Sequence, residues 1–326
     1  MNRTAQVSFV LFALLLALIA SLHLGTFLLT ALFGYLALQV FHRRASKTLS
    51  VALYLLTVVI VGAGLIYFAA IAYRTFPKIA DAAIPAMAEF AEKNGIDLPF
   101  TDYASLKVSA LEEAKQGVAT IGRYARIASL QTVLLLAGLV VALSVFLNPS
   151  WTAARTVPAP ATAYSQLTTE LGHRFRNLYQ SFARVMGAQI VIAAINTILT
   201  AAFLIISRYP YTPLLLGLVF LCGLLPIVGN LTSNTVIVGV GFTMSPRMGL
   251  IALIFLITIH KLEYFLNSKI IGTRIDSPMW LTLIGLVLGE RLMGVPGMVL
   301  APVILHYIKS EMSAYRSVSP VPPPAE

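Results

Sequence analysis

His260, Glu263 and Asn267 stand at i, i+3 and i+7, so a helix through them carries an imidazole, a carboxylate and a carboxamide on one face, with Lys269 shortly after. They end an apolar run. A carboxylate beside lipid is costly unless it faces a cavity or a cation, and such a group in a membrane marks an ion or solute path. Glu263 is therefore the first candidate for a coupling or solute-contacting group, with His260, Asn267 and Lys269 as its companions. The competing reading pairs Glu263 with Lys269 or another cation at the membrane interface, where its role is structural. Glu290 is a second acid in an apolar setting, and Arg291 beside it favours a capping or interfacial role.

Two interruptions flank this cluster. In Leu225-Pro226-Ile227-Val228-Gly229-Asn230, Pro226 removes a backbone donor and turns Leu225 away from helical geometry. Gly229 permits a positive φ, and the Asn230 side chain can bond freed backbone groups. The second interruption, residues 289–297, contains Gly294, Pro296 and Gly297. The apolar arms on either side are about 11 to 16 residues long, below the roughly 20 needed to cross a bilayer. Each hairpin is then either re-entrant or two short, closely packed spans joined by a Pro/Gly turn. Paired, interrupted short segments point to the central site of a transporter. Gly285 and Gly289 have the small-x-x-x-small spacing of close helix packing.

The elements that must position these residues follow from composition. Hydrophobic residues make up 58% of the chain and charged residues 11%, and mean hydropathy is +0.84. Such a chain cannot cover its surface with polar groups, so its solvent is the lipid bilayer. The net charge of +10 comes from cations scattered between apolar runs, which is the positive-inside pattern and not a nucleic-acid-binding face. The single cysteine, Cys222, excludes an intrachain disulfide and a cysteine-based metal site. No nucleotide-binding loop, metal-ligand pair or catalytic triad stands out, so neither an enzyme nor a cofactor is expected.

Along the chain, residues 1–73 read as N-terminal spans: Val7–Leu22 and Leu24–Phe41 around a turn at His23, then Val51–Tyr73. The acid-free basic loop at residues 42–47 places the N-terminus in the cytoplasm. Residues 74–126 balance acids against bases, and Ile79, Ala83, Met87 and Phe90 recur at helical spacing, so this stretch is expected to be an external amphipathic helical segment. A fourth span follows over 127–147, then a cytoplasmic linker and interfacial helix over 148–184, the helix running into the next span. Residues 185–310 form the expected C-terminal transport unit, and 311–326 an expected disordered, cytoplasmic tail. Asn196, in the middle of the span Val185–Ser207, reads as helix-to-helix glue, with solute contact as the alternative. The expected fold is all-α: a polytopic integral membrane protein with about 7–8 membrane-embedded segments, including the two interrupted hairpins.

The segment Gly223-Leu224-Leu225-Pro226-Ile227-Val228-Gly229, then Glu263-Tyr264-Phe265-Leu266-Asn267 with Ile270-Ile271-Gly272, and finally Gly294-Val295-Pro296-Gly297 through Val303 resemble the C-terminal signature of the autoinducer-2 exporter family. The resemblance implies a multi-pass protein of the bacterial inner membrane that exports a small organic solute such as a signalling furanone. Some relatives are instead sodium/proton antiporters. Homo-oligomers, and a hairpin-bearing unit that moves against a fixed scaffold, are also implied. Two positions depart from the pattern: Ser268 precedes Lys269 where members often have proline, and the tip Pro226–Asn230 lacks an aromatic residue and the second proline. The leading functional reading is secondary transport by alternating access, with the bilayer, a small-molecule substrate and Na+ or H+ as partners. Cation/proton antiport is the alternative, and a non-transporting scaffold that recruits a partner through residues 74–126 is the reading from another class.

Overall fold

The computed structural model of the protein describes residues 3–95, 118–148, 162–225, 228–266 and 279–316. Within them the chain forms ten α-helices and no strand: α1 (Arg3–Ser21), α2 (Gly25–His42), α3 (Lys47–Lys93), α4 (Val118–Leu147), α5 (Ala163–Ile206), α6 (Thr212–Gly223), α7 (Val228–Met244), α8 (Pro246–Leu266), α9 (Met279–Met293) and α10 (Val295–Arg316). This uniformity has a physical cause: in hydrocarbon every backbone N–H and C=O needs a partner inside the protein, and a helix supplies partners locally. Thr4–Ser21, Gly25–His42, Lys47–Lys93, Ala128–Leu147 and Ala163–Ile206 are each long and apolar enough to cross a membrane. The architecture is that of a polytopic membrane protein. On α3, Val59, Ile66 and Tyr67 are 67%, 74% and 69% exposed, as on a helix whose outer face meets lipid.

Two boundaries differ from the sequence expectation. The third span does not stop at Tyr73 before a separate amphipathic segment; α3 continues as one helix through Pro77 and Pro85 to Lys93. Its 47 residues extend roughly 70 Å at about 1.5 Å each, more than twice a hydrocarbon core of about 30 Å. A rise in charge density marks where a helix leaves lipid, not where it ends. At its exposed end Lys93 bonds Glu89 at 2.6 Å and holds that carboxyl below the usual range. The interfacial helix and the fifth span form one helix, α5. The expected disordered tail is helical as far as Arg316, because α10 carries a buried face through Val303, Tyr307 and Glu311. Residues 317–326 lie outside the described set.

By packing, the chain divides into two compact units, one of Met1–Leu55, Gln131–Gly187 and Thr273–Glu326, the other of Leu56–Leu130 and Ala188–Gly272. The segment 185–310, expected as one transport unit, is shared between them. In the first unit α9 and α10 form a hairpin, with α1 and α2 packed beside it. Phe12 of α1 contacts Phe175 of α5 and Tyr307 of α10, with ring centroids 5.0 and 5.6 Å apart. Phe33 and Tyr35 of α2 meet Phe182 and Tyr179 of α5 edge-on. Beside these rings lies a buried ion pair, Arg174 with Glu311, whose side chains are 5% and 6% exposed. Asn177 Nδ2 also donates to Glu311, at 2.9 Å, and the Arg174 guanidinium lies over the Phe9 ring. Lys47 Nζ donates to the Leu147 carbonyl at 2.9 Å, supplying a partner at the C-terminus of α4.

The second unit has a continuous apolar core. Ile79 and Ala83 of α3, Leu204 of α5, Leu215 and Val219 of α6, Ile237 and Val240 of α7, and Ala252 and Leu256 of α8 are buried together. Phe90 meets Phe242 at 5.0 Å, and Met87 lies beside Gly239. The amphipathic stripe of residues 79–90 is therefore packing surface.

Removing one partner of a buried ion pair strands the other charge at a cost of about 3–5 kcal/mol, whereas apolar replacement of both is near neutral. Glu311→Ala is thus expected to lower the melting temperature of detergent-solubilised protein sharply, and Arg174→Leu/Glu311→Leu to recover most of the loss. A double variant no better than the single one would mean that the pair contributes more than charge compensation.

Candidate functional site

The chain is interrupted where apolar helices meet in pairs. α6 has only 12 residues, a length of roughly 18 Å, too short to cross about 30 Å of hydrocarbon. It turns at Leu224 and Leu225 into α7. Gln189 Nε2 of α5 donates to the Gly223 carbonyl at 2.6 Å, pairing an acceptor at the end of α6. Gly229 is buried against the backbone of Cys222, where any Cβ would overlap the Cys222 carbonyl. The α9–α10 hairpin is built alike: Gly289 and Gly297 face each other so closely that a Cβ on either would overlap the other's carbonyl. Gly294 takes φ 65° at the turn, a left-handed cap after α9. Gly25 of α2 packs against Met293 and Pro296 at this tip.

Beside the first interruption, within the second unit, lies a polar cleft lined by Asn196, Thr200, Asn230, Ser233, Asn234 and His260, with apolar walls from Val219, Leu256 and Ile259. Its volume is about 270 Å³ including its open mouth. The local sequence explains the arrangement. On α5, Gln189, Ala193, Asn196, Thr200 and Leu204 follow one another at helical spacing, and this face runs from the hairpin tip into the apolar core. On α7, Asn230, Ser233, Asn234 and Ile237 do the same. The end of each face near the tip is polar where the rest is apolar. Asn196 is 4% exposed, Thr200 1% and Ser233 1%. Ser233 Oγ donates to the Asn230 carbonyl at 3.2 Å, whereas the buried Asn196 Oδ1 has no hydrogen-bond partner among the described residues. With Asn196 ten residues before the end of α5 at Ile206, it lies about 15 Å along the helix from that end, half the thickness of a hydrocarbon core.

The structure brings His260 and Asn230 together in this cleft. Glu263 lies in the last turns of α8, with its side chain outside the described set. Pro226, Asn267 and Lys269 also fall outside it. Glu290 is exposed near the end of α9, in the other unit, as are Gly294, Pro296 and Gly297 of the second tip. Thr200, Ser233 and Asn234 were not singled out from the sequence. Their signal was present: small polar residues continuing the helical spacing of a core face. No group of three or more His, Cys, Asp or Glu side chains that could hold a metal occurs among the described residues.

A helical multi-pass protein with interrupted hairpins and a polar cleft inside an apolar unit is the architecture of a membrane transporter. Residues 6–317 match the AI-2E family transporter family, and the chain belongs to that family. It is similar to the protein named "Putative transport protein YdbI" of Bacillus subtilis (strain 168), with 29% identity over 131 residues. That alignment covers 40% of this chain and 37% of the relative. No solved structure matches the chain.

The close approaches at the two hairpins set a size limit. Gly229→Ala and Gly289→Ala are each expected to destabilise the protein by about 1–3 kcal/mol through forced separation of the backbones. Gly62→Ala on α3, where a Cβ meets nothing within 4 Å, should be neutral or slightly stabilising. Thermal unfolding of the three purified variants checks this; equal effects at all three positions would show that the glycines serve no close contact.

Proposed function

We propose that the chain is a secondary transporter that moves a small organic solute across the bacterial cytoplasmic membrane by alternating access, in the outward direction that its family name denotes. The observation that carries this reading is the polar cleft, buried in an otherwise apolar unit beside an interrupted hairpin. Polar side chains are costly in such surroundings and persist where they meet a transported species. A short arm such as α6 can shift or unwind at its tip without breaking a long helix, so the interruptions at Pro226–Asn230 and Gly294–Gly297 act as gates. With no nucleotide-binding loop in the sequence, an ion gradient drives the cycle. The basic loop at residues 42–47 orients the protein with both termini in the cytoplasm.

Glu263 follows His260 by one helical turn and serves as the coupling or solute-contacting group, with Asn267 and Lys269 continuing its face. His260 at the cleft is what ties this face to the solute path. Glu263→Gln, which keeps shape and loses charge, is expected to abolish flux in proteoliposomes loaded with a panel of small neutral and anionic solutes, at unchanged expression and melting temperature. Unchanged flux would remove Glu263 from the mechanism.

A further inference from the structure

In the first unit, at the end that carries the basic loop of residues 42–47, α2 presents a line of donors that the solute path does not use. Tyr35, Gln39 and Arg43 follow one another at i, i+4 and i+8, along one side of α2 and onto its C-cap. Tyr35 meets Tyr179 of α5 edge-on, with ring centroids 4.8 Å apart. Gln39 Nε2 donates to the Tyr35 hydroxyl at 2.8 Å, so Tyr35 accepts in that bond and keeps its own hydrogen to donate. The Arg43 guanidinium lies close enough to Tyr179 for its charge to act on the phenol. The ring pairs Phe33 with Phe182 and Tyr35 with Tyr179 run α2 and α5 antiparallel here. Arg176, one turn before Tyr179, therefore comes level with Gln39.

The charges of this strip are not spent inside the protein. Arg43 and Arg44 are exposed and form no ion pair among the described residues, whereas Lys47 is engaged by the Leu147 carbonyl. Residues 39–47 contain no acid, and the acid on the facing stretch of α5 is Glu170, more than a turn before Arg176. At the level of Gln39 and Arg176 the surface is also apolar: Val40 is 50% exposed and Phe175 48%.

We propose that this strip between α2 and α5 binds the headgroup of an anionic phospholipid, whose phosphate accepts from Arg43 and from the Tyr35 hydroxyl, with Arg176 on the α5 side. An arginine fork matches two phosphate oxygens at once. A tyrosine suits the headgroup level because its ring rests in apolar surroundings while its hydroxyl reaches a polar partner. Val40 and Phe175 give the acyl chains apolar surface at the same depth. A soluble phosphate would gain from the cations but nothing from that surface, so the strip fits a lipid. Once bound, the lipid ties α2 to α5. The site concerns the membrane around the protein and stands whichever solute is moved.

The purified full chain in a neutral detergent is titrated with dioleoylphosphatidylglycerol, with dioleoylphosphatidylcholine and with inorganic phosphate, and its melting temperature is followed. Phosphatidylglycerol should raise the melting temperature in a saturable way, and the other two should not. Arg43 is exposed, so Arg43→Gln costs the fold little. It should weaken the apparent affinity for phosphatidylglycerol roughly tenfold, the loss of one charge-assisted hydrogen bond. Tyr35→Phe, which keeps the ring against Tyr179 and removes the hydroxyl, should weaken it several-fold. Arg291→Gln, an equal loss of charge at an exposed position of α9, should leave it unchanged. No shift with phosphatidylglycerol, an equal shift with phosphatidylcholine, or an affinity unchanged in Arg43→Gln would overturn the site. Equal weakening by Arg291→Gln would reduce the effect to net charge, and an equal shift with inorganic phosphate would make it a site for a free anion; either result removes the lipid assignment.

Discussion

In hydrocarbon a backbone amide or carbonyl without a partner costs several kcal/mol, and the breaks between helices that the described residues show answer to that constraint. The tip of the α6–α7 hairpin is possible because Gln189 reaches from α5 to the Gly223 carbonyl and because Gly229 lets the two backbones meet without an intervening side chain. The α9–α10 turn depends on a glycine at positive φ, with Gly289 and Gly297 abutting behind it. At the C-terminus of α4 it is the Lys47 ammonium that reaches an end carbonyl. The breaks are placed where partners exist, and that placement fixes which helices are short.

Polarity is buried in two different ways. In the first unit Arg174 and Asn177 both bond Glu311, and the guanidinium also covers an aromatic ring. This set joins α5 to α10 beside the Phe12, Phe175 and Tyr307 rings, as a structural cross-link between helices. In the second unit the polar groups share faces with the apolar core and stop short of closure at Asn196. A stability argument alone favours apolar residues at both places. The second arrangement places an acceptor at a cleft with an open mouth, which makes the cleft and not the ion pair the candidate site.

Much of the architecture was legible in the sequence because its signals are local. The apolar runs, the turn at His23 and the Pro/Gly interruptions each fall within a few residues, and the helices begin and end around them. What was less legible depends on partners distant in sequence. The stripe of Ile79, Ala83, Met87 and Phe90 reads as an external amphipathic face until α7 is seen against it. Asn196 alone reads as helix glue, because a lone asparagine in an apolar helix most often bonds a neighbouring helix. Only its missing partner, and Thr200, Ser233 and Asn234 around the same space, give it a different meaning. Glu311 reads from the sequence as part of the tail, whereas its burial comes with Arg174, far away in the chain.

The departure of this chain from its family's usual tip bears on the same cleft. Where the resemblance leads one to expect a second proline after the tip glycine, this chain has Asn230, in the first turn of α7. A first-turn proline and a first-turn asparagine are both acceptable to a helix, since the backbone donors there have no intrahelical acceptor in either case. The exchange therefore costs the fold little. Its chemical effect is larger: a ring with no side-chain donor or acceptor gives way to a carboxamide with both, and Asn230 lines the cleft beside Ser233 and Asn234. A position at which the resemblance leads one to expect proline is here part of the cleft lining. Exchange at this one position alters the polarity of the cleft without altering the helices that frame it.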